Sequence, residues 1–324
     1  MHLQPPRGWT SNPPQAELST TTHPQPPKAL KPNPHQAEVS TTVHAHPPPA
    51  ETSATTHPPG RTWTEVSALV RPYGKMEGTP PPSRPEEFAI SRLVLWNIDL
   101  TLLDVGRVTR AAYAEAFEKV TGEPLVYLTS SAGRTDSEMF FEFCARNYVD
   151  VEPDTSSLGE FLDALEESFG RRSEELLSKG RVMPGAAASL AAVASMPDTV
   201  QTVVSGSTRA NATAKLVAFG LDTYLNLAIG GYGSVNYPKS SLIQSIRLHA
   251  AGEGGRVYPE EETVFITDSA PDVRAAVIGG ATPVAVLNGS TTESQLREVG
   301  AVVVLPDLTD PRAVMTAVHQ ATTR

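Results

Sequence analysis

One cysteine, Cys144, is the whole thiol content of the 324 residues, so neither an internal disulfide nor a cysteine-built metal cluster can form. Long apolar runs are missing as well. No stretch approaches the roughly 18 consecutive apolar residues of a membrane-spanning helix. The opening Met1-His2-Leu3-Gln4-Pro5-Pro6 has neither the basic start nor the apolar stretch of a secretory signal. These absences predict a soluble, cytoplasmic protein with no membrane association. Basic clusters are the third absence. The formal net charge is −10, and residues 88–324 carry all of it, 29 acids facing 19 bases. Nucleic-acid binding needs Lys/Arg clusters to replace phosphate counterions, and that class is excluded.

Proline and histidine are present but unevenly spread: 19 of 29 prolines and six of eight histidines fall in the first 87 residues. The partition predicts a disordered leader over 1–87 and a globular body over 88–324, long enough to bury a large core. The leader contains an imperfect repeat. Asn12-Pro13-Pro14-Gln15-Ala16-Glu17-Leu18-Ser19-Thr20-Thr21 returns as Asn33-Pro34-His35-Gln36-Ala37-Glu38-Val39-Ser40-Thr41-Thr42. Leu18 and Val39 are too few to give each unit a stacking face, so extended, partly polyproline II chain is expected. Its histidines, His44 and His46 included, lack a fixed ligand spacing and read as solvated linker. Translation from Met76 would remove most of the leader. A leader that instead recruits a partner is a third possibility for the chain as a whole.

In the body, Arg92–Trp96, Val200–Val204, Thr263–Ile266, Pro283–Leu287 and Ala301–Leu305 are short apolar runs with the look of buried strands. Ala210–Phe219 and Pro271–Ile278 have helical spacing between them. Strand–helix alternation predicts an α/β, Rossmann-like parallel sheet covered on both faces. About a hundred residues of another character separate the first two strands. Ala111–Val120, Ser137–Asn147 and Leu158–Leu177 are amphipathic, and they predict a helical cap over about 105–184, inserted into a core of 88–104 and 185–324. Cys144 lies among phenylalanines there and is expected to be a core residue.

Open parallel sheets bind ligands beyond the carboxyl ends of their strands. Asn97-Ile98-Asp99-Leu100-Thr101 follows the first strand, Ser205-Gly206-Ser207 the second, and Thr267-Asp268-Ser269-Ala270-Pro271-Asp272 the third. Lys239 heads another helix. Strand-end acids suit a hard cation, a hydroxyl beside a helix N-terminus suits phosphate, and a lysine supplies a point charge. Taken one at a time, each element also fits a structural part: Asp99 or Asp268 as a helix cap, Ser205-Gly206 as a turn, Lys239 as surface charge, Arg134-Thr135-Asp136 as a helix start. Together, in this order, they ask for metal-assisted phosphoryl chemistry.

Over residues 92–310 the chain resembles the haloacid dehalogenase-like hydrolases. Asn97-Ile98-Asp99-Leu100-Thr101-Leu102 is similar to that family's first motif, Asp-x-Asp-x-Thr/Val-Leu. Ser205 matches the second, Lys239 the third, and Asp268 with Asp272 the fourth, with Thr267 in place of the usual Gly. The helical insertion and Ala132-Gly133-Arg134-Thr135-Asp136 resemble phosphoglycolate phosphatase-like members. The resemblance implies a Mg2+-dependent hydrolase, a phosphatase of a small phosphorylated metabolite. It implies metal contacts at Asn97, Asp99 (through its backbone carbonyl), Asp268 and Asp272 and acid–base work by the Asp99 side chain, oriented by Thr101. It also implies phosphate contacts at Ser205, Gly206 and Lys239, with Lys239 shared with catalysis, and a substrate contact at Arg134.

Asn97 occupies the position of the family's attacking carboxylate. A neutral carboxamide is a poor nucleophile and subtracts one charge from a metal site. Three outcomes follow from it: a pseudoenzyme that still binds phosphorylated ligands, activation by deamidation (slowed by Ile98), or hydrolysis by water directed from Asp99.

Overall fold

The computed structural model of the chain describes residues 91–150, 155–234, 238–254, 257–287 and 290–323. The chain divides into two units, Met1–Gly78 and Thr79–Arg324, and all described residues belong to the second. The expected disorder of the leader, and its repeat, lie outside the described residues.

The elements run β1 (Arg92–Trp96), β2 (Leu103–Asp104), α1 (Gly106–Thr121), α2 (Asp136–Arg146), α3 (Thr155–Gly170), α4 (Ser173–Lys179) and β3 (Arg181–Val182). They continue as α5 (Ala186–Ala194), β4 (Thr199–Val203), α6 (Arg209–Ala218), α7 (Lys239–Gly254), β5 (Thr263–Thr267) and α8 (Ala270–Gly279). The chain closes with β6 (Thr282–Val286), α9 (Glu293–Glu298), β7 (Val303–Leu305) and α10 (Pro311–Thr322). Five strands form one parallel sheet in the order β4-β1-β5-β6-β7. Its two faces divide β1 by the two-residue period of a strand. Val94 and Trp96 join one apolar cluster, with Leu190 of α5, Leu216 of α6 and Val314 and Val318 of α10. Leu93 and Leu95 join another, with Leu242, Ile243 and Ile246 of α7 and Ala276 of α8. Burial on both faces is why β1 reads as an unbroken apolar run.

The helices α1–α4 stand between β1 and β4 in the chain, where an insertion was expected. They share the first apolar cluster with the sheet through Tyr113, Phe117, Phe140, Phe143, Phe161 and Phe169. Phe140 and Phe161 stack with ring centroids 4.8 Å apart, and Tyr113 meets Phe143 edge-on at 5.2 Å. Cys144 is buried in this core, and burial pushes its thiol up to about 11, far from a reactive thiolate.

Two details add to the sequence reading. The amphipathic stretch Leu158–Leu177 falls on two helices, α3 ending at Gly170, a poor helix former, before α4 begins at Ser173. And β2 pairs antiparallel with β3 through Leu103↔Val182 and Asp104↔Arg181, tying the insertion's two ends together. Two-residue strands leave no periodic signal in a sequence.

Candidate functional site

Trp96 is in register with Val203 of β4 and Ile266 of β5, so Asn97, Val204 and Thr267, the last residue of β5, stand at one level at the end of the sheet. Helix starts then fix the side chains. Ser269 caps α8, its Oγ accepting the Asp272 N–H at 3.2 Å and donating to Asp272 Oδ2 at 2.7 Å. Lys239 opens α7, and its buried ammonium donates to Asp272 Oδ1 at 2.7 Å and to Asn97 Oδ1 at 3.0 Å. Asn97 Nδ2 donates to the Asp99 carbonyl at 2.9 Å, to Asp268 Oδ1 at 3.1 Å and to Thr101 Oγ1 at 3.3 Å. Thr101 Oγ1 donates to Asp268 Oδ1 at 2.8 Å. Burial pushes the Asp268 carboxyl up to about 6, with the Thr101 and Asn97 hydrogen bonds pulling the other way and the Asp272 charge adding to the rise.

The backbone between Asp99 and Thr101 turns through Leu100 at φ 62°, a left-handed conformation unfavourable for a leucine. Leu100 N–H closes the turn on the Leu103 carbonyl at 2.7 Å. This turn aims the Asp99 carbonyl at Asn97 while its carboxylate meets Lys215, whose Nζ stands 2.9 and 2.8 Å from the two oxygens. Lys215 was not anticipated from the sequence. It lies on α6, buried, 3.0 Å from Ser207 Oγ and 5.6 Å from the Phe169 ring centroid of α3. A signal for it exists: the buried residues of α6 are Asn211, Ala212, Lys215 and Leu216, an apolar-face spacing with a lysine in it.

Asp136 is the second residue that sequence reasoning passed over, as a mere helix start. Thr135 does cap α2, with Glu138 completing a capping box. Asp136 besides accepts from Tyr113 Oη at 2.6 Å and from the Thr208 N–H at 3.0 Å, and its own N–H donates to the Gly206 carbonyl at 2.7 Å. Burial pushes its carboxyl up to about 6. The insertion thus touches the strand-end loops directly. A Cβ on Gly206 would stand 2.0 Å from the Arg134 carbonyl oxygen, and one on Gly133 2.3 Å from Pro271 Cβ. Only glycine permits that approach.

A cavity of about 110 Å³ opens where these segments meet. Asn97, Asp99, Gly206, Lys239, Asp268 and Asp272 line it, and so does Arg134, which donates to Thr129 Oγ1 at 3.2 Å and to the Ser130 carbonyl at 2.9 Å. Thr101 and Ser205 are buried behind the wall. The Ser205 Oγ accepts the Ser207 N–H at 3.1 Å, and Ser207 takes the place on the cavity.

The donor set does not fit Mg2+ as it is arranged. That ion demands converging oxygens in near-octahedral geometry. Here an N–H donor of Asn97 lies against both the Asp99 carbonyl and Asp268 Oδ1, and the Asn97 oxygen faces an ammonium. Among the described residues, no group of three or more His, Cys, Asp or Glu side chains is placed to hold a metal ion. Nor is any helix among them long and apolar enough to cross a membrane.

Solved structures share this architecture. A predicted phosphatase from Clostridium acetobutylicum matches at 16% identity and a TM-score of 0.54, over 70% of this chain and 99% of that one. CbbY from Rhodobacter sphaeroides, solved in complex with phosphate, matches at 21% and 0.52, over 68% and 96%. A predicted phosphoglycolate phosphatase from Haemophilus somnus matches at 19% and 0.51, over 70% and 99%. No curated protein matches the sequence. The haloacid dehalogenase-like hydrolase family matches residues 94–276, from within β1 to within α8, and so takes in the strand-end loops that build the cavity. With more than half its length matched, the chain belongs to the haloacid dehalogenase-like hydrolase family.

Proposed function

We propose that this chain binds a small phosphorylated metabolite in the cytoplasm, with the phosphate held by Lys239 and the Gly206–Ser207 turn, and that covalent hydrolysis of the ester is impaired. The observation that carries the reading is the contact of the Lys239 ammonium with a carboxamide at Asn97, 3.0 Å away. A carboxamide in that position keeps the hydrogen bond to lysine and lacks the charge of an attacking oxygen. Lys239 retains a donor for an incoming anion, since an ammonium has three. Helices α1–α4 would act as the cap, with Arg134 at the edge of the cavity as the candidate contact to the rest of the substrate.

The competing reading is a Mg2+-dependent phosphatase. What favours it is the convergence of Asp99, Asp268, Asp272 and Lys239 on one cavity. An assay separates the two: p-nitrophenyl phosphate and a panel of sugar and glycolate phosphates, with and without Mg2+, on wild type and Asn97→Asp. The proposal expects no metal-dependent turnover in wild type and measurable turnover in the variant. Wild-type turnover that requires Mg2+ and is unchanged in Asn97→Asp would overturn it.

A further inference from the structure

The orientation of the Asn97 amide is forced by its partners. The Asp99 carbonyl is an acceptor only, an ionised Asp268 is an acceptor only, and the Lys239 ammonium is a donor only. Rotating the amide by half a turn would set its oxygen against the first two and its N–H2 against an ammonium. One assignment therefore satisfies these three partners, the two hydrogens of Nδ2 going to the Asp99 carbonyl at 2.9 Å and Asp268 Oδ1 at 3.1 Å while Oδ1 accepts from Lys239. These two oxygens are among those that the family resemblance assigns to Mg2+. They converge on a nitrogen that already carries hydrogens toward them.

We propose that the Asn97 carboxamide takes the place of the divalent cation, its N–H2 joining the Asp99 carbonyl to the Asp268 carboxylate, so that the cavity accepts a phosphate monoester without a metal. The proposal rests on the reading that this cavity takes phosphate. Charge supports it. Around the cavity the four acids Asp99, Asp136, Asp268 and Asp272 stand against three cations, Lys215, Lys239 and Arg134, which leaves one net negative charge. A carboxylate at position 97 would add a second, and an anion would then need a cation to offset the repulsion. With a carboxamide there, Lys239 and the backbone N–H groups of the Gly206–Ser207 turn meet the anion against a smaller opposing field. Entry of a cation would in turn require the amide to leave the two oxygens and rotate its N–H2 onto Lys239.

Metal binding and phosphate binding are tested separately on the full chain. Mn2+, as a probe of the Mg2+ site, is titrated into wild type and Asn97→Asp, following free Mn2+ by electron paramagnetic resonance. Inorganic phosphate is titrated by calorimetry in EDTA and again in excess Mg2+. We expect Mn2+ binding at least tenfold weaker in wild type than in the variant, and phosphate binding to wild type that is equal with and without Mg2+. Wild-type Mn2+ affinity within threefold of the variant's overturns the proposal, as does phosphate binding that appears only with Mg2+. If phosphate binds under neither condition, the function reading fails, and the Mn2+ comparison still decides the amide's role. Should Asn97→Asp not fold, the Asn97 side-chain amide resonances of wild type are read instead. Their persistence in Mn2+ supports the proposal, and their selective broadening overturns it.

Discussion

Lys215 donates to both carboxylate oxygens of Asp99, at 2.9 and 2.8 Å, and the two partners are unequally buried: the lysine side chain is 1% exposed, the aspartate 40%. That inequality predicts unequal costs of removing each one. Asp99→Ala strands an ammonium in the interior with Ser207 Oγ as its remaining hydrogen-bond acceptor, and should cost about 3 kcal/mol. Lys215→Met keeps the volume and leaves a carboxylate that water can reach, at a cost of about 1 kcal/mol or less. Urea unfolding of the two variants checks the order. Equal losses would mean that the ammonium is solvated some other way.

Asp136 supplies a pH prediction. An acid whose folded pKa stands above its unfolded value holds its proton more tightly in the folded state. Its contribution to stability is therefore flat below the ordinary 3.8, falls as pH rises toward about 6, and is flat again beyond. The full swing for a rise of this size is about 3 kcal/mol. Asp136→Asn cannot titrate, so the stability of the variant minus that of wild type should increase from pH 4 to pH 7. Tyr113→Phe removes a hydrogen bond that holds the Asp136 pKa down and should steepen the wild-type decline. A variant-to-wild-type gap that does not move with pH would show that Asp136 keeps an ordinary pKa in the fold.

The parts that were legible in the sequence share a cause. β1 and β5 are buried along their whole length and β4 from Gln201 onward, so apolar residues dominate each run, and the polar residues that follow mark the strand ends where Asn97, Ser205 and Asp268 sit. Lys239 was legible by its place at the head of a helix, which α7 bears out. Lys215 and Asp136 were not, because their partners come from far along the chain, Asp99 for the first and Tyr113 with Thr208 for the second. A sequence shows that a lysine falls on the buried face of α6, and only the fold shows which carboxylate meets it there. The same limit hid the way Ser207, rather than Ser205, reaches the cavity wall: Ser205 Oγ is taken by the Ser207 N–H, and Ser207 Oγ by Lys215 from α6.

The docking of the insertion on the strand-end loops can be measured with a pair of glycines that share a backbone conformation. Gly122, at the end of α1, and Gly133, just before α2, both have φ 74°. An alanine in that left-handed region costs roughly 1–2 kcal/mol at either site. Their surroundings differ. A Cβ on Gly122 meets nothing within 4 Å, whereas a Cβ on Gly133 would lie 2.3 Å from Pro271 Cβ at the start of α8. Subtracting the effect of Gly122→Ala from that of Gly133→Ala cancels the shared strain and leaves the steric contact, which should add roughly 1–3 kcal/mol. Because the Asp136 N–H to Gly206 carbonyl bond, 2.7 Å, lies three residues on, its amide should also exchange faster in Gly133→Ala and stay protected in Gly122→Ala. If the two variants lose the same stability and Asp136 exchange does not change, the loop from Ser131 to Asp136 yields without cost. The insertion would then be free to part from the core at this edge of the cavity, and the positions of Arg134 and Asp136 would no longer be set by the contact with α8.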